Sequence, residues 1–277
     1  MPSPKQQTWK DLFDGAADLP QEKLRWWLSD RLDCSLTELP LSSLPTEQEV
    51  DAFLDAVNRL RSGEPVQYIC GRTPFRGLTL EVTPDVLIPR PETEQLVQLA
   101  LDHVIQPKNR VLDVGTGSGC IALSLKQERP DLHIEGTDVS VSALQIAKRN
   151  AETHNLNVPF RQADLLKEEP PHSWDVILSN PPYIGESERG DLPKEVKEFE
   201  PQGALFSGED GLDHIQKLLQ QALLVLKPGG RILLETGETQ GAELNKIAEE
   251  LGYAITHWKD LAGRERFRLL ERVRPRA

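Results

Sequence analysis

Hydrophobic residues in the first part of the chain recur at intervals of three and four, which predicts amphipathic helices. In the stretch TEQEVDAFLDAVNRLRSG, Thr46 and Glu49 fit a capping box at the start of one helix, and Gly63 provides a stop. We therefore predict a small helical bundle over residues 1–62. The apolar positions of its two clearest helices are Leu24, Trp27, Leu28, Leu32, Val50, Phe53, Leu54, Val57 and Leu60.

The pattern changes after residue 62. VQYICGRTPFRGLTLEVT alternates between apolar and polar residues on both sides of Arg76-Gly77, which predicts strands joined by a hairpin turn. PDVLIPRPETE contains prolines at positions 84, 89 and 91 and is typical of a connector. We expect the hairpin and the proline-rich connector to occupy residues 63–91.

From residue 92 onward, a first helix is followed by alternating strands and helices. Such alternation predicts an α/β fold with a parallel sheet and helices on both faces. The last two predicted strands have no helix between them, so we expect them to form an antiparallel hairpin. The predicted strands are RVLDV, HIEGTDV, VPFRQADLL, WDVILSN, RILLETG, YAITHWKD and ERFRLLERV, and KPGG is expected to end the helix GLDHIQKLLQQALLVL.

Composition narrows the functional classes. The 277 residues carry a net charge of −12, which argues against sequence-independent binding to nucleic acid. No apolar run approaches the roughly 20 residues that span a bilayer, so no membrane association is expected. The N-terminal segment lacks the pattern of a signal peptide, and we expect a cytoplasmic location. Cys34, Cys70 and Cys120 show no metal-ligand or disulfide spacing, and no metal is expected.

The stretch VLDVGTGSGC predicts a binding site for a cofactor that contains a nucleoside. It places Gly115, Thr116, Gly117, Ser118 and Gly119 between a strand and the helix that follows it. Glycines let the backbone turn sharply and let a ligand approach it closely. The G-x-G-x-G spacing differs from the G-x-G-x-x-G of dinucleotide sites, which favours S-adenosylmethionine. A tight turn without a ligand is the alternative interpretation.

Acidic residues extend this prediction to the rest of the methyl donor. Asp138 ends the next strand, 23 positions after Gly115, where a carboxylate can accept hydrogen bonds from a ribose diol. Asp164, at the end of the third strand, is a candidate for binding the exocyclic amine of adenine, with an ordinary helix cap as the alternative. Asp113, inside the first strand, is a candidate for orienting the loop or for binding the ammonium group of the donor.

A second motif, SNPPY, ends the fourth strand. Its two prolines stiffen the chain, which holds the neighbouring side chains in place. The side-chain oxygen of Asn180 and the carbonyl of Pro181 can accept hydrogen bonds from the two N–H groups of an amide or a base amine, and Tyr183 can lie against the planar group. This positioning localises the nitrogen lone pair for attack on a methyl sulfonium. We therefore predict that Asn180, Pro181, Pro182 and Tyr183 bind the substrate and act in catalysis, with a plain proline-rich loop as the alternative.

These motifs resemble those of a known family. Residues 110–272 are similar to the seven-stranded class I methyltransferases that depend on S-adenosylmethionine, and NPPY is similar to the signature of the amino-group methyltransferases. EPVQYICG, VLIPRPETE, FEPQGALFSGEDGL and DLAGRERF narrow the resemblance to the peptide chain release factor glutamine methyltransferases. The resemblance implies a Rossmann-like methyltransferase domain over residues 92–277, joined by the hairpin to the N-terminal helical domain.

The resemblance also implies an activity and its binding residues. The activity would be methylation of the glutamine side-chain amide in the Gly-Gly-Gln motif of class I release factors, with S-adenosylhomocysteine as the second product. The donor would be bound by residues 115–119, Asp138, Asp164, Leu165 and Asn180. Leu165 departs from relatives that have an aromatic residue at this position, which predicts weaker stacking on adenine.

Alternative functions stay open at this stage. A DNA amino-methyltransferase would share NPPY but should show a recognition domain and a basic surface. A glutamine methyltransferase that acts on a large-subunit ribosomal protein would share nearly everything except the stretch around IPRPETE. A dinucleotide-dependent oxidoreductase, or a binding module without catalysis, would need neither the observed glycine spacing nor an intact NPPY.

Three further segments are expected to serve the substrate. Arg90 and Glu92 are candidates for substrate contact, with a plain hinge between domains as the alternative. FEPQGALFSGEDG is a long irregular segment, and we expect it to form a wall of the substrate channel. Acidic residues outnumber basic ones in the N-terminal bundle, which we expect to dock the release factor.

Overall fold

The structure is a computed structural model that describes residues 7–272. Residues 1–6 of the predicted bundle and Val273 of the predicted last strand lie outside this range. Within the described range, no helix combines the length and the apolar character needed to cross a membrane. The α-helices are α1 (Trp9–Asp14), α2 (Gln21–Leu32), α3 (Glu47–Ser62), α4 (Val66–Cys70), α5 (Pro91–Leu99), α6 (Cys120–Glu128), α7 (Val141–Thr153), α8 (Lys194–Phe199), α9 (Gln202–Leu205), α10 (Asp213–Val225) and α11 (Gly241–Glu250).

The strands form two sheets, and the chain divides into two compact units. The first unit consists of the residues up to Arg72 together with α8, and the second consists of Thr73–Pro193 and the residues from Glu200 onward. The strands are β1 (Arg72–Phe75), β2 (Leu78–Glu81), β3 (Arg110–Val114), β4 (His133–Asp138), β5 (Phe160–Gln162), β6 (Trp174–Ser179), β7 (Leu226–Glu235), β8 (Tyr253–Lys259) and β9 (Glu265–Arg272).

The first unit is a helical bundle with an aromatic core. The ring of Phe53, on α3, lies at its centre, with ring centroids 5.9 Å from Trp9, 5.6 Å from Phe13 and 5.7 Å from Trp27. Edge-to-face and offset ring contacts of this kind add to the stabilisation that burial alone provides. The predicted apolar positions of α2 and α3 therefore form the inner face of this bundle, except Leu54, which is exposed on the outward side of α3.

One prediction about this unit was wrong. Val66–Cys70, which the alternating pattern assigned to a strand, forms helix α4. Pro65 precedes the helix, Gly71 ends it with a φ of 74°, and the buried Val66 belongs to the core of the N-terminal helices. Because α4 packs with these helices, the first unit extends to Arg72.

The second unit contains the seven-stranded sheet, in the order β5-β4-β3-β6-β7-β9-β8. The strands from β5 to β7 run parallel, and β9 runs antiparallel to both β7 and β8. This topology confirms the predicted α/β class and the predicted hairpin at the end of the chain. The predicted turn at Arg76-Gly77 also joins β1 to β2, and both of its residues have positive φ.

Helices cover both faces of the sheet. Successive residues of a strand point to opposite faces, so Val111 of β3 belongs to one buried cluster and Leu112 to the other. The first cluster includes Leu96 and Leu144 from α5 and α7, and the second includes Ile215 from α10. The nearly continuous apolar runs in the central strands follow from this burial on two sides.

Two strand boundaries and one loop differ from the prediction. β5 is limited to Phe160–Gln162, because the residues beyond it turn into the loop at the edge of the sheet. β7 begins at Leu226 and includes the KPGG stretch, which forms a bulge opposite Trp174 and Val176 of β6. The segment predicted to be irregular after β6 contains the short helix α9.

Candidate active site

The carboxyl ends of β3 and β6 meet where the order of the strands reverses. From β3 the chain continues to β4 and β5 on one side, whereas β6 and β7 lie on the other side. In open parallel sheets, ligands bind in the crevice at such a point. A cavity of about 430 Å³ lies here, a volume typical of small-molecule sites.

The loop after β3 forms one wall of this cavity. Gly115 and Gly117 have φ values of 73° and 54°, and a Cβ on either residue would meet no heavy atom within 4 Å. The N–H groups of Gly115 and Thr116 donate to the carbonyl of Thr137 at 2.8 and 2.9 Å, which ties the loop to β4. Open space over a backbone that favours glycine fits the close approach of S-adenosylmethionine. Gly119 is the N-cap of α6 and does not line the cavity.

Asp138, at the end of β4, lines the cavity and holds the loop. Its Oδ2 accepts a hydrogen bond from the N–H of Gly117 at 2.9 Å, and its Oδ1 accepts one from the N–H of Ser140 at 2.9 Å. Burial raises the pKa of Asp138, and the backbone hydrogen bonds partly oppose this change. Each carboxylate oxygen keeps a second lone pair, so Asp138 can still accept from a ribose diol.

Asp113 joins the loop to the start of α6. This fully buried side chain accepts hydrogen bonds through Oδ2 from the Thr116 hydroxyl at 2.6 Å and from the N–H of Ala122 at 3.2 Å. Burial raises the pKa of Asp113 to about 7. Asp113 does not line the cavity, so its geometry is that of a residue that orients the loop.

The cavity continues toward the ends of β4 and β5. Asp164 and Leu165 line it, together with Val139 and His214. Leu165 has a φ of 54°, a conformation that is rare for leucine and that concentrates at ligand sites. His214 was missed in the sequence analysis, because a single histidine at the start of a helix carries no signal. Its Nδ1 lies 2.8 Å from the hydroxyl of Ser207, and burial lowers its pKa.

The NPPY motif reaches the same cavity from β6. Asn180 and Pro182 line the cavity, whereas Pro181 and Tyr183 do not. The Tyr183 hydroxyl donates to Oε1 of Glu235 at 3.4 Å. Burial and the nearby negative charge of Glu235 raise the pKa of Tyr183, so its hydroxyl stays protonated.

Gln240 and the segment after α9 support the NPPY motif. Nε2 of Gln240 donates to the carbonyls of Tyr183 at 2.8 Å and of Asp210 at 3.0 Å. Gly211 has a φ of 78°, and a Cβ on this residue would lie 2.1 Å from the carbonyl oxygen of Tyr183, so only glycine allows the approach. Pro201, Gly203 and Ala204 of the same region line the cavity, and their predicted role as a channel wall stays a prediction.

The two charged residues of the proline-rich connector are engaged in ion pairs. Arg90 pairs with the buried carboxylate of Glu200, and Glu92 accepts a hydrogen bond from Nη2 of Arg264 at 3.3 Å. Neither residue lines the cavity. Contact of Arg90 or Glu92 with a substrate therefore stays a prediction.

Thr93 and Glu235, which were also not predicted from the sequence, contact side chains of the NPPY motif. Thr93 accepts a hydrogen bond from Nδ2 of Asn180 at 3.1 Å and donates one to Oε2 of Glu235 at 2.8 Å. Burial raises the pKa of Glu235 to about 7. A signal was present in the sequence, since Glu235 ends the apolar strand RILLE just as Asp138 ends β4.

Comparisons with known proteins agree with this fold. The family model described as the methyltransferase small domain matches residues 93–195, and the model described as the PrmC N-terminal domain matches residues 6–71. A methyltransferase structure from Pyrococcus furiosus aligns with a TM-score of 0.54 and 23% identity, over 82% of this chain and 98% of that one. The fold is thus that of a methyltransferase.

Two curated relatives, both called release factor glutamine methyltransferase, define the family more closely. The protein of Koribacter versatilis is 40% identical over 88% of this chain and 91% of its own length. The protein of Rhodopirellula baltica is 40% identical over 87% of this chain and 85% of its own length. The chain belongs to the family of release factor glutamine methyltransferases, which confirms the resemblance that the motifs indicated.

Replacing Asp138 should weaken binding of the donor. Asp138→Ala removes an acceptor for the ribose diol and the support of Gly117, and hydrogen bonds to a charged group contribute about 1.5–3 kcal/mol, a loss of roughly 10- to 150-fold in affinity. Calorimetric titration with S-adenosylmethionine measures the change. Asp131→Ala, which removes an exposed carboxylate outside the cavity, is the control and should bind normally. Equal dissociation constants for Asp138→Ala and the wild type would refute the assignment.

Replacing Asp113 should change how stability depends on pH. Burial raises the pKa of this carboxyl from 3.8 to about 7, so between these values the folded protein holds a proton that the unfolded chain has released. The contribution of Asp113 to the free energy of unfolding is therefore fully present below pH 3.8 and is lost as the pH rises through about 7. Asp113→Asn should remove this decline, whose limiting slope is about 1.4 kcal/mol per pH unit.

Urea unfolding of the donor-free protein at several pH values between 4 and 8 tests the Asp113 prediction. Asp131→Asn is the matched control, because hydrogen bonding to Arg129 lowers the pKa of Asp131 to about 2, and this residue titrates below the window. The control should keep the wild-type decline. Parallel curves for Asp113→Asn and the wild type would contradict the prediction.

Proposed function

We propose that this protein transfers a methyl group from S-adenosylmethionine to the side-chain amide nitrogen of the glutamine in the Gly-Gly-Gln motif of class I peptide chain release factors. The reaction would take place in the cytoplasm and without a metal ion. One observation carries the proposal: Asn180 and the loop 115–118 line a single cavity at the point where the strand order reverses. The side chain that would accept a hydrogen bond from the substrate amide and the loop that would bind the methyl donor thus lie at the same cavity.

The residues on the donor side would bind and orient S-adenosylmethionine. Asp138 would hold the ribose, the loop after β3 would approach the amino acid part of the donor, and Asp164 and Leu165 would contact the adenine. When bound, S-adenosylmethionine supplies a methyl group that is activated by the positive charge on sulfur. The apolar residues of the lining, among them Val86, Leu87 and Ile121, would limit the access of water to the reacting nitrogen.

The residues on the acceptor side act on the amide nitrogen of glutamine. The side-chain oxygen of Asn180 and the carbonyl of Pro181 would accept hydrogen bonds from its two N–H groups. These hydrogen bonds would localise the lone pair on the nitrogen and reduce its delocalisation into the amide. Tyr183 would support the planar amide group from the other end of the motif. Such prepared acceptors reduce the barrier mainly through positioning. The nitrogen loses a proton only after it has gained the methyl group, so no strong base is needed beforehand.

The decisive experiment is transfer of labelled methyl from S-adenosylmethionine to purified class I release factors. A large-subunit ribosomal protein and duplex DNA serve as alternative substrates, and a release factor with Gly-Gly-Ala in place of Gly-Gly-Gln serves as the control. Label on the intact release factor alone supports the proposal. Label on the ribosomal protein or on DNA, with none on the release factor, would overturn it.

We further propose that the N-terminal helices, predicted as residues 1–62, dock the release factor. The outward side of α3 supports this role. It exposes a row of acidic residues around Leu54, whose surface is 48% accessible although it is apolar. The exposed residues of this row are Glu47, Asp51, Leu54, Asp55 and Asn58. A partner that works beside ribosomal RNA is expected to carry basic surface, which fits an acidic row.

Replacing Asn180 should separate chemistry from donor binding. Asn180→Ala removes an acceptor from the substrate amide, so turnover should fall by at least 100-fold, the loss that follows removal of one prepared hydrogen-bonding group. The dissociation constant of S-adenosylmethionine should change by less than about threefold, because the loop 115–118 and Asp138 are intact. Turnover assays and calorimetry measure the two quantities. Near-normal turnover would refute the role of Asn180.

Charge reversal on α3 should weaken recognition of the folded partner. Asp51→Lys should raise the KM for the intact release factor about 3- to 10-fold, the effect of one rim charge, and leave the KM for a short Gly-Gly-Gln peptide unchanged. Glu152→Lys, an exposed residue of α7 in the other unit, changes the net charge equally and should behave as the wild type. Equal effects of the two substitutions, or of Asp51→Lys on both substrates, would show that the row does not dock the partner.

A further inference from the structure

A chain of hydrogen bonds connects the NPPY motif to the end of β7. Nδ2 of Asn180 donates to Oγ1 of Thr93 at 3.1 Å, and the Thr93 hydroxyl donates to Oε2 of Glu235 at 2.8 Å. Thr93 and Glu235 are 2% and 1% exposed, so water does not compete for the second bond. We propose that Thr93 and Glu235 are positioning residues that turn the side-chain oxygen of Asn180 toward the substrate nitrogen. This inference rests on the proposed function, in which that oxygen accepts an N–H of the substrate amide.

The direction of the hydrogen bonds follows from the number of protons available. A threonine hydroxyl has one proton, and an ionised carboxylate can only accept. Once Thr93 has donated to Glu235, its oxygen can only accept from Asn180. The Asn180 group that faces Thr93 must therefore be the NH₂, and the oxygen must point the other way.

The two orientations of the Asn180 amide differ little in shape, so without these hydrogen bonds shape alone would not select one of them. In the flipped orientation, the NH₂ group of Asn180 would face the NH₂ group of the substrate. Two donors cannot form a hydrogen bond, and the substrate amide would lose one of its two acceptors. Thr93 lines the cavity, but its hydroxyl is engaged with Asn180 and Glu235, so in this proposal both residues act on the reaction through Asn180.

The groups around Glu235 fit its role as an acceptor. Tyr183 donates to its Oε1 at 3.4 Å, so both carboxylate oxygens accept from hydroxyl groups that belong to or support the NPPY motif. Burial raises the pKa of Glu235 to about 7, Arg266 on β9 lowers it, and the negative charge of Glu92 on α5 raises it. At pH 8.5 the side chain is therefore mainly ionised, which makes this pH suitable for the test.

Four variants at pH 8.5 test the proposal by steady-state kinetics with a release factor. Thr93→Val keeps the shape and removes the hydroxyl, and Glu235→Gln replaces the acceptor-only group with one that also donates. Each should lower kcat by roughly 10- to 100-fold, the size expected for a lost hydrogen bond to a charged group. Thr93→Ser keeps the hydroxyl and should restore most of kcat. Thr73→Val removes another buried threonine hydroxyl and should leave kcat unchanged.

Two comparisons distinguish positioning from general damage to the fold. The dissociation constant of S-adenosylmethionine should stay within about twofold of the wild type in all four variants, because the donor loop is not part of the hydrogen-bond chain. In the Asn180→Ala background, Thr93→Val should lower kcat by less than about twofold, since residues that act through one group are not additive. Full additivity of the two substitutions, or a wild-type kcat for Thr93→Val, would overturn the proposal.

A third measurement requires no substrate. The side-chain NH₂ signal of Asn180, identified by its loss in Asn180→Ala, should exchange slowly with solvent in the wild type and in Thr93→Ser, and faster in Thr93→Val. If the wild type fails to methylate release factors, the proposed function fails, and the exchange rates still decide whether Thr93 holds Asn180. Equal exchange in the wild type and Thr93→Val would overturn the positioning role whatever the substrate is.

Discussion

The parallel pairing of β3 with β6 is the constraint on which the rest of the site depends. Val111, Leu112 and Asp113 lie opposite Val176, Ile177 and Leu178, so the two strands end at the same edge of the sheet. Because the chain leaves β3 toward β4 and β5, the space beside β3 at this edge is free for the residues that follow β6. The glycine-rich loop and NPPY, which are far apart in sequence, therefore line one cavity. Each further contact refines the positions that this pairing has set.

Two buried carboxyl groups hold these loops, and both oppose stability near neutral pH. Asp113 holds the loop after β3, and Glu235 lies behind the NPPY motif, each with a pKa that burial raises to about 7. Burying an ionisable group is costly unless hydrogen bonds compensate for lost hydration. Both groups make such hydrogen bonds, to Thr116 and Thr93 respectively. A functional site commonly retains such a cost when the group fixes the geometry of neighbouring residues.

The elements and motifs that depend on neighbouring residues could be predicted from the sequence. Contacts between residues far apart in the sequence could not. The strand–helix alternation and the two motifs are local patterns, and the fold class that they indicated is confirmed. Val66–Cys70 was assigned wrongly because alternation over a few residues does not distinguish a strand from one turn of helix between Pro65 and Gly71. Glu235 and Thr93 lie 142 positions apart, and their contact exists only after β7 and α5 have packed. Arg90 and Glu92 were candidates because charged side chains often bind substrates. The adjacent Thr93 was not, because an isolated hydroxyl in a sequence does not indicate a function.

In the proposed arrangement, the acceptor side of the cavity selects an amide by chemistry as much as by affinity. Two hydrogen-bond acceptors, the oxygen of Asn180 and the carbonyl of Pro181, would also bind the ammonium group of a lysine, but an ammonium has no lone pair with which to attack a methyl group. A glutamate carboxylate would face the same two acceptors without a proton to offer and would be rejected. This discrimination would hold only while Asn180 presents its oxygen, since its NH₂ group would donate a hydrogen bond to a carboxylate and could form none with the NH₂ group of an amide. In this proposal, the direction of one hydrogen bond at Thr93 would decide which side chain the site can modify, and the choice among proteins that carry glutamine would be left to surfaces outside the cavity.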